Sequence, residues 1–156
     1  MFREPVLHVE EGFLLVDTEI ASDKIAAYRA TQYRVGTGPE AFTLRVDKKS
    51  GPLQQLYDST AQSCGLFITA FNPFGREQSV EVNAVAHFRL GDCLRALSPH
   101  VVEGAGADPV GAWPEEISFF AIGIDESTAR QLGSRFDQDA VVWAGADAIP
   151  RLLLLR

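Results

Sequence analysis

The stretch Leu66–Asn83, LFITAFNPFGREQSVEVN, decides the fold. It opens on a dense apolar run, Leu66 to Phe71, that reads as a buried strand. Pro73 has no N–H to give to a ladder, so it ends the strand. It also disfavours helix at Asn72, and Gly75 lets the backbone turn. Ser79 is then a natural N-cap, and the spacing predicts a helix to about Leu97. Val82, Ala86, Leu90, Cys93, Leu94 and Leu97 fall on one apolar stripe of that helix at intervals of three and four.

Downstream, His100 to Glu103 read as a strand, followed by the Gly-rich GAGADPVGAWP as a long loop. Ile117 to Ile124 form a strand with bulky apolar residues on both faces. Asp125 caps a helix through Phe136, Ala140 to Trp143 form another strand, and Arg151 to Leu155 return as a last one. The order strand, helix, strand, strand, helix, strand predicts an α+β fold with a ferredoxin-like split βαβ core (βαββαβ). Arg151–Leu155 adds a C-terminal hairpin strand. Upstream lies an added N-terminal strand-helix unit that extends the sheet. Ser22 caps a helix over Asp23–Ala30, a strand starts near Tyr33, AFTLRV alternates as a half-buried strand, and Pro52 opens a helix. Gly12 to Asp17 read as an early strand or a loose arm, within a loose N-terminal arm over residues 1–20.

The 156 residues fit one domain over 1–156, and 46% apolar content can bury a core. A net charge of −7 argues against nucleic acid and anionic membrane as partners. No apolar run approaches the roughly 18–20 residues of a membrane span, so the expected compartment is the cytoplasm. Two cysteines, Cys64 and Cys93, are too few for a disulfide scaffold and read as core thiols. His8, His87 and His100 lack metal-ligand spacing, and no cofactor motif is present, so neither metal nor cofactor is expected. His87 reads as an exposed residue beside the helix stripe. RNA-binding domains of this strand order expose aromatics amid basic residues; Phe119 and Phe120 are adjacent, so only one can face outward, and the charge has the wrong sign.

Three stretches can carry a site. At the Asn-Pro strand end, free N–H groups at the following helix can hold an anion, Arg76 adds a permanent charge, and Asn72 offers both amide atoms. In Glu103–Glu116, Trp113 offers a stacking surface, and Asp108 and Glu116 are the catalytic candidates, as general bases. In YRATQYRV, Tyr28 and Tyr33 belong to a polar-aromatic cluster. Each stretch also has a plain structural reading. Asn72 can bind nearby backbone, the loop can be a flexible hairpin, and the tyrosine rings can be core.

Together AYRATQYRV, FITAFNPFGREQSVEVN and the blocks from EGAGADPVGAWPEEISFFAIGI to QDAVVWAGADAIPRLLL resemble a bacterial family, domain of unknown function 3293, from about residue 26 onward. The resemblance implies a small stand-alone bacterial protein and no particular activity. Asn72, Ser79, Asn83, Asp108, Trp113 and Glu116 match its pattern. One departure stands out: the family looks like Gln-Asn-Ala where this chain has Gln138-Asp139-Ala140, which puts an amide role there in doubt. Two readings follow. In one, a small polar or anionic ligand binds at a strand-end cleft through Asn72, Arg76, Ser79, Asn83, Trp113, Tyr28 and Tyr33. In the other, the chain is an interaction module that forms a homo-oligomer through its C-terminal strand.

Overall fold

The structure, a computed structural model, describes residues 7–10, 13–16 and 18–156. The chain runs β1 (Leu7–Glu10), β2 (Phe13–Val16), α1 (Ser22–Ala30), β3 (Gln32–Val35), β4 (Phe42–Leu44), α2 (Gly51–Thr60) and β5 (Gly65–Ile68). A 3-10 turn, Pro73–Gly75, leads to α3 (Val80–Leu97), β6 (Val101–Ala107), β7 (Glu116–Ile122), α4 (Glu126–Arg135), β8 (Ala140–Ala144) and β9 (Pro150–Leu154). β1 and β2 form an antiparallel pair of their own. Of the Gly12–Asp17 expectation, residues 13–16 are strand, while Gly12 and Asp17 lie outside the described residues.

Seven strands form one sheet in the order β4-β3-β6-β7-β5-β8-β9, every neighbouring pair antiparallel. Both faces are covered, which is why β5 and β7 read as nearly continuous apolar runs. Successive side chains alternate between faces. Phe67, Phe120 and Val142 meet Leu53 and Tyr57 of α2. Leu66, Phe119 and Val141 meet Leu90 and Leu94 of α3 and Ala129 and Leu132 of α4. Adjacent Phe119 and Phe120 thus serve opposite cores, and neither is exposed.

The helix starts follow the capping chemistry with one exception. Ser79 accepts from Val82 N–H, Ser50 from Leu53 N–H and Asp125 from Thr128 N–H. Ser22, expected as a cap, is instead the first helical residue of α1, and Ala21 precedes it with no side-chain cap. α1 also buries none of its residues.

Four further expectations are corrected. β5 leaves the ladder after Ile68 rather than at Phe71, because the Thr69 hydroxyl donates to the Ile117 carbonyl and accepts from Phe71 N–H, replacing the strand's own pairing. His87 is not exposed: its ring stacks on Phe119 with centroids 4.2 Å apart, and neither ring nitrogen has a hydrogen-bond partner. Cys64 and Cys93 are half-buried rather than fully buried, and Cys93 packs against the core beneath α3. The Gly-rich stretch after Glu103 is loop only from Asp108 on, since Gly104–Ala107 continue β6 and pair with β3.

Gly104 shows why that stretch is glycine-rich. A Cβ there would lie 2.1 Å from the Arg34 carbonyl oxygen and 3.2 Å from the Phe67 ring. The residue secures close approach between β6 and β3. At Gly106 the nearest atom would be Thr31 Cγ2 at 3.6 Å, an ordinary contact. Gly104→Ala is therefore expected to destabilise by about 1–3 kcal/mol, the usual scale of overpacking, whereas Gly106→Ala leaves stability within about 1 kcal/mol. Urea denaturation of the two variants beside the parent checks the contrast.

Candidate functional site

The strand end after β5 is shaped by a reciprocal amide pair. Asn72 takes a left-handed backbone (φ 48°, ψ 65°), which asparagine tolerates better than most residues. Its Oδ1 accepts from Gln78 N–H at 3.1 Å and from Asn83 Nδ2 at 3.0 Å. Asn83 Oδ1 in turn accepts from Asn72 N–H at 3.0 Å. Two of the N–H groups near the start of α3 are thus already bound, that of Gln78 by Asn72 and that of Val82 by the Ser79 cap. Arg76 is exposed and makes no part of the hollow described below.

A second set of contacts gathers on Asp139, whose side chain has no exposed area. Lys24 Nζ lies 2.6 Å from its Oδ2, Tyr28 Oη donates to the same oxygen at 3.0 Å, and Arg156 Nε lies 2.5 Å from Oδ1. Lys24 also donates to the Phe74 carbonyl at 3.0 Å, and the Arg156 guanidinium sits 4.4 Å from the centre of the Phe74 ring. Gln138 donates to the Phe71 carbonyl at 3.2 Å. Burial raises the Asp139 proton affinity, but the hydrogen bonds from Lys24, Arg156 and Tyr28 outweigh it and hold the carboxyl below its ordinary range. The departure noted in the sequence, aspartate in place of asparagine, is thus where this chain neutralises two cations. Neither Lys24 nor Asp139 was a site candidate in the sequence. An acidic residue directly before the apolar run Ala140–Ala144 was the one local signal.

A cleft of about 920 Å³ is lined by residues of α1, by the segment that follows β5 and by residues around the start of β7. Tyr28 and Lys24 stand on one wall, Trp113 and Glu116 on another, with Asn72, Asn83, Tyr33 and Ser118 also in its lining. Six of the nine candidate residues therefore share one hollow: Tyr28, Tyr33, Asn72, Asn83, Trp113 and Glu116. Arg76, Ser79 and Asp108 do not line it. Ser79 caps α3, and Asp108 Oδ2 accepts from Ala112 N–H at 2.5 Å, shaping the loop before β7. Arg34 and Glu115 pair across that loop at 3.2 Å. Burial pushes the Glu116 carboxyl up. Burial, then the nearby Asp139 charge, pushes the Tyr28 hydroxyl up. Tyr33 donates to the Tyr28 carbonyl at 2.5 Å and packs edge-on against Phe67, so its ring belongs to the core.

Among the described residues, no group of three or more His, Cys, Asp or Glu side chains can hold a metal ion. No helix among them is long and apolar enough to cross a membrane.

Two outcomes follow from these contacts. The Asp139 carboxyl titrates below the 3.8 ordinary for aspartate, so its stabilising contribution is complete above about pH 4 and is lost as pH falls through the folded value. Asp139→Asn should remove that part of the acid limb and lower stability at neutral pH by about 1–3 kcal/mol, the scale of hydrogen bonds to charged groups. Urea midpoints measured from neutral pH down to about pH 3 test both signs. Separately, Asn72→Ala and Asn83→Ala each strand the other amide, about 1–3 kcal/mol apiece, and the double variant should lose less than the sum. A double-mutant cycle in denaturant measures the coupling.

A family model described as "Protein of unknown function (DUF3293)" matches residues 68–141. No curated protein and no solved structure gives a match. The matched segment is shorter than the resemblance from residue 26 onward: it holds Asn72, Asn83, Trp113, Glu116 and Asp139 but not α1, with Lys24 and Tyr28, nor Arg156. This segment, from the end of β5 into β8, is similar to the DUF3293 family, whose function is unknown.

Proposed function

We propose that the cleft receives a small ligand with an apolar body and a cationic or hydrogen-bond-donating head. The observation that carries this reading is the charge of the lining. Asp23, Glu77 and Glu116 contribute carboxylates, Glu115 being paired with Arg34, while among the described residues Lys24 is the single basic one in the lining and is already committed to Asp139. The anionic ligand expected from Arg76 is disfavoured, because Arg76 stands outside the hollow. Trp113 and Tyr28 supply flat surfaces for an apolar body, with cation–π attraction for a charged head. Glu116, with its proton affinity raised by burial, is the lining residue we assign as proton acceptor. We also read β5 to β8 as a ferredoxin-like core, supported by their order β6-β7-β5-β8 and two intervening helices on one face. The acidic balance and two free thiols support a cytoplasmic setting.

A thermal-shift panel of small aromatic and aliphatic amines, set beside carboxylates and phosphates, tests the reading. A ligand at ~100 times its Kd stabilises by ~2.7 kcal/mol, or roughly 5–10 °C in Tm for a chain of this size. Amines are expected to give such shifts, and Glu116→Gln and Trp113→Ala are expected to abolish them. A panel in which only anions stabilise, or in which nothing does, overturns the proposal. So do amine shifts that survive both substitutions.

A further inference from the structure

α3 buries Asn83, Leu90, Gly91 and Leu94 against the sheet. Its opposite face is unusually apolar for a surface helix. Val82, Val85 and Phe88 are 51%, 54% and 69% exposed. Large apolar side chains grouped on one exposed face mark interaction surfaces more often than single ones do. Glu81, Val82, Val85, Ala86 and Arg89 line a shallow groove there. Glu81 and Arg89 make no ion pair among the described residues.

The arrangement is symmetric about Val85. Val82 and Phe88 stand three residues to either side of it, and Glu81 and Arg89 stand four to either side. Positions three and four apart share a helix face. Two copies of α3 laid antiparallel about a two-fold axis at Val85 therefore bring Val85 against its own copy. Each Phe88 meets the other copy's Val82, and each Glu81 meets the other copy's Arg89. The acid and the base lie eight residues apart, about 12 Å along the helix, so a near-antiparallel crossing satisfies both ion pairs at once. A surface whose charges complement themselves under a two-fold is what an isologous dimer requires.

We propose that the exposed face of α3 is a homodimer interface, its occupant a second copy of this chain. The edge strand β9 is a poorer route, because Pro150 and Arg151 open it and both residue types blunt edge pairing. The inference is independent of the cleft, whose lining shares none of these five residues.

Sedimentation velocity of the full chain over roughly three decades of concentration, centred on the micromolar constants of small interfaces, tests it. The mass is expected to rise from the 17.0 kDa of one chain toward twice that. Val85→Glu places two carboxylates together at the axis and is expected to weaken association about tenfold or more. Glu81→Arg should do the same, and the double exchange Glu81→Arg with Arg89→Glu should restore it. All these side chains are exposed, and circular dichroism verifies that each variant is folded. A monomer at every concentration overturns the proposal, as does a dimer indifferent to Val85→Glu. A double exchange no better than the single one, or a mass that grows beyond two chains, overturns it as well.

Discussion

The cleft depends on one buried carboxylate. Asp139 accepts from Lys24 and Tyr28 of α1 on one oxygen and from Arg156 on the other. Three parts of the chain, α1, the residue before β8 and the second residue after β9, are thereby fixed to one point. The Phe74 carbonyl, bound by the same Lys24, adds the turn after β5. A buried ion of one sign is tolerable only when it is surrounded by donors, and here the donors are the elements that need placing. No residue of α1 is fully buried, and its other contacts include the Tyr33 bond to the Tyr28 carbonyl and the Arg29–Asp47 pair.

The sheet holds itself by different means. Its two cores are built from alternate residues of the same strands, with Phe119 turned to α3 and Phe120 to α2. That arrangement explains why β7 tolerates five consecutive buried residues, Ser118 to Ile122. The reciprocal Asn72–Asn83 pair then joins the end of β5 to the first turns of α3. Apolar burial sets where the strands lie, and paired amides set how the chain leaves them.

Much of this was legible from local pattern. The 3.6-residue periodicity of Ser79–Leu97, the caps at Ser79 and Asp125, and the alternation around Phe42–Leu44 each write their element within a few residues. The errors fall where the deciding contact is distant in sequence. Gly104–Ala107 looked like loop because glycine usually marks one, but these residues are held in a ladder by β3, some seventy residues earlier. The same holds for the site. Asn72, Asn83, Trp113 and Glu116 carried polar or aromatic signals at strand ends, and they share the hollow. Lys24 carried none, because its partner Asp139 is 115 positions away and a lone lysine on a short helix is ordinary. Arg76 misled for the opposite reason: a charge beside a turn suggests a ligand, and here it faces solvent.

That no residue of α1 is fully buried has a consequence for how the molecule comes apart. Regions secured by exposed or polar contacts open at lower free energy than packed cores do, and they open as units. α1 is such a unit. By that rule its backbone amides are expected to exchange with solvent, and its peptide bonds to meet proteases, through loosening of the Lys24–Tyr28–Asp139 knot while the seven strands stay closed. The helix beside the hollow therefore has a resistance of its own, set by acidity through Asp139, that the durability of the whole chain does not report.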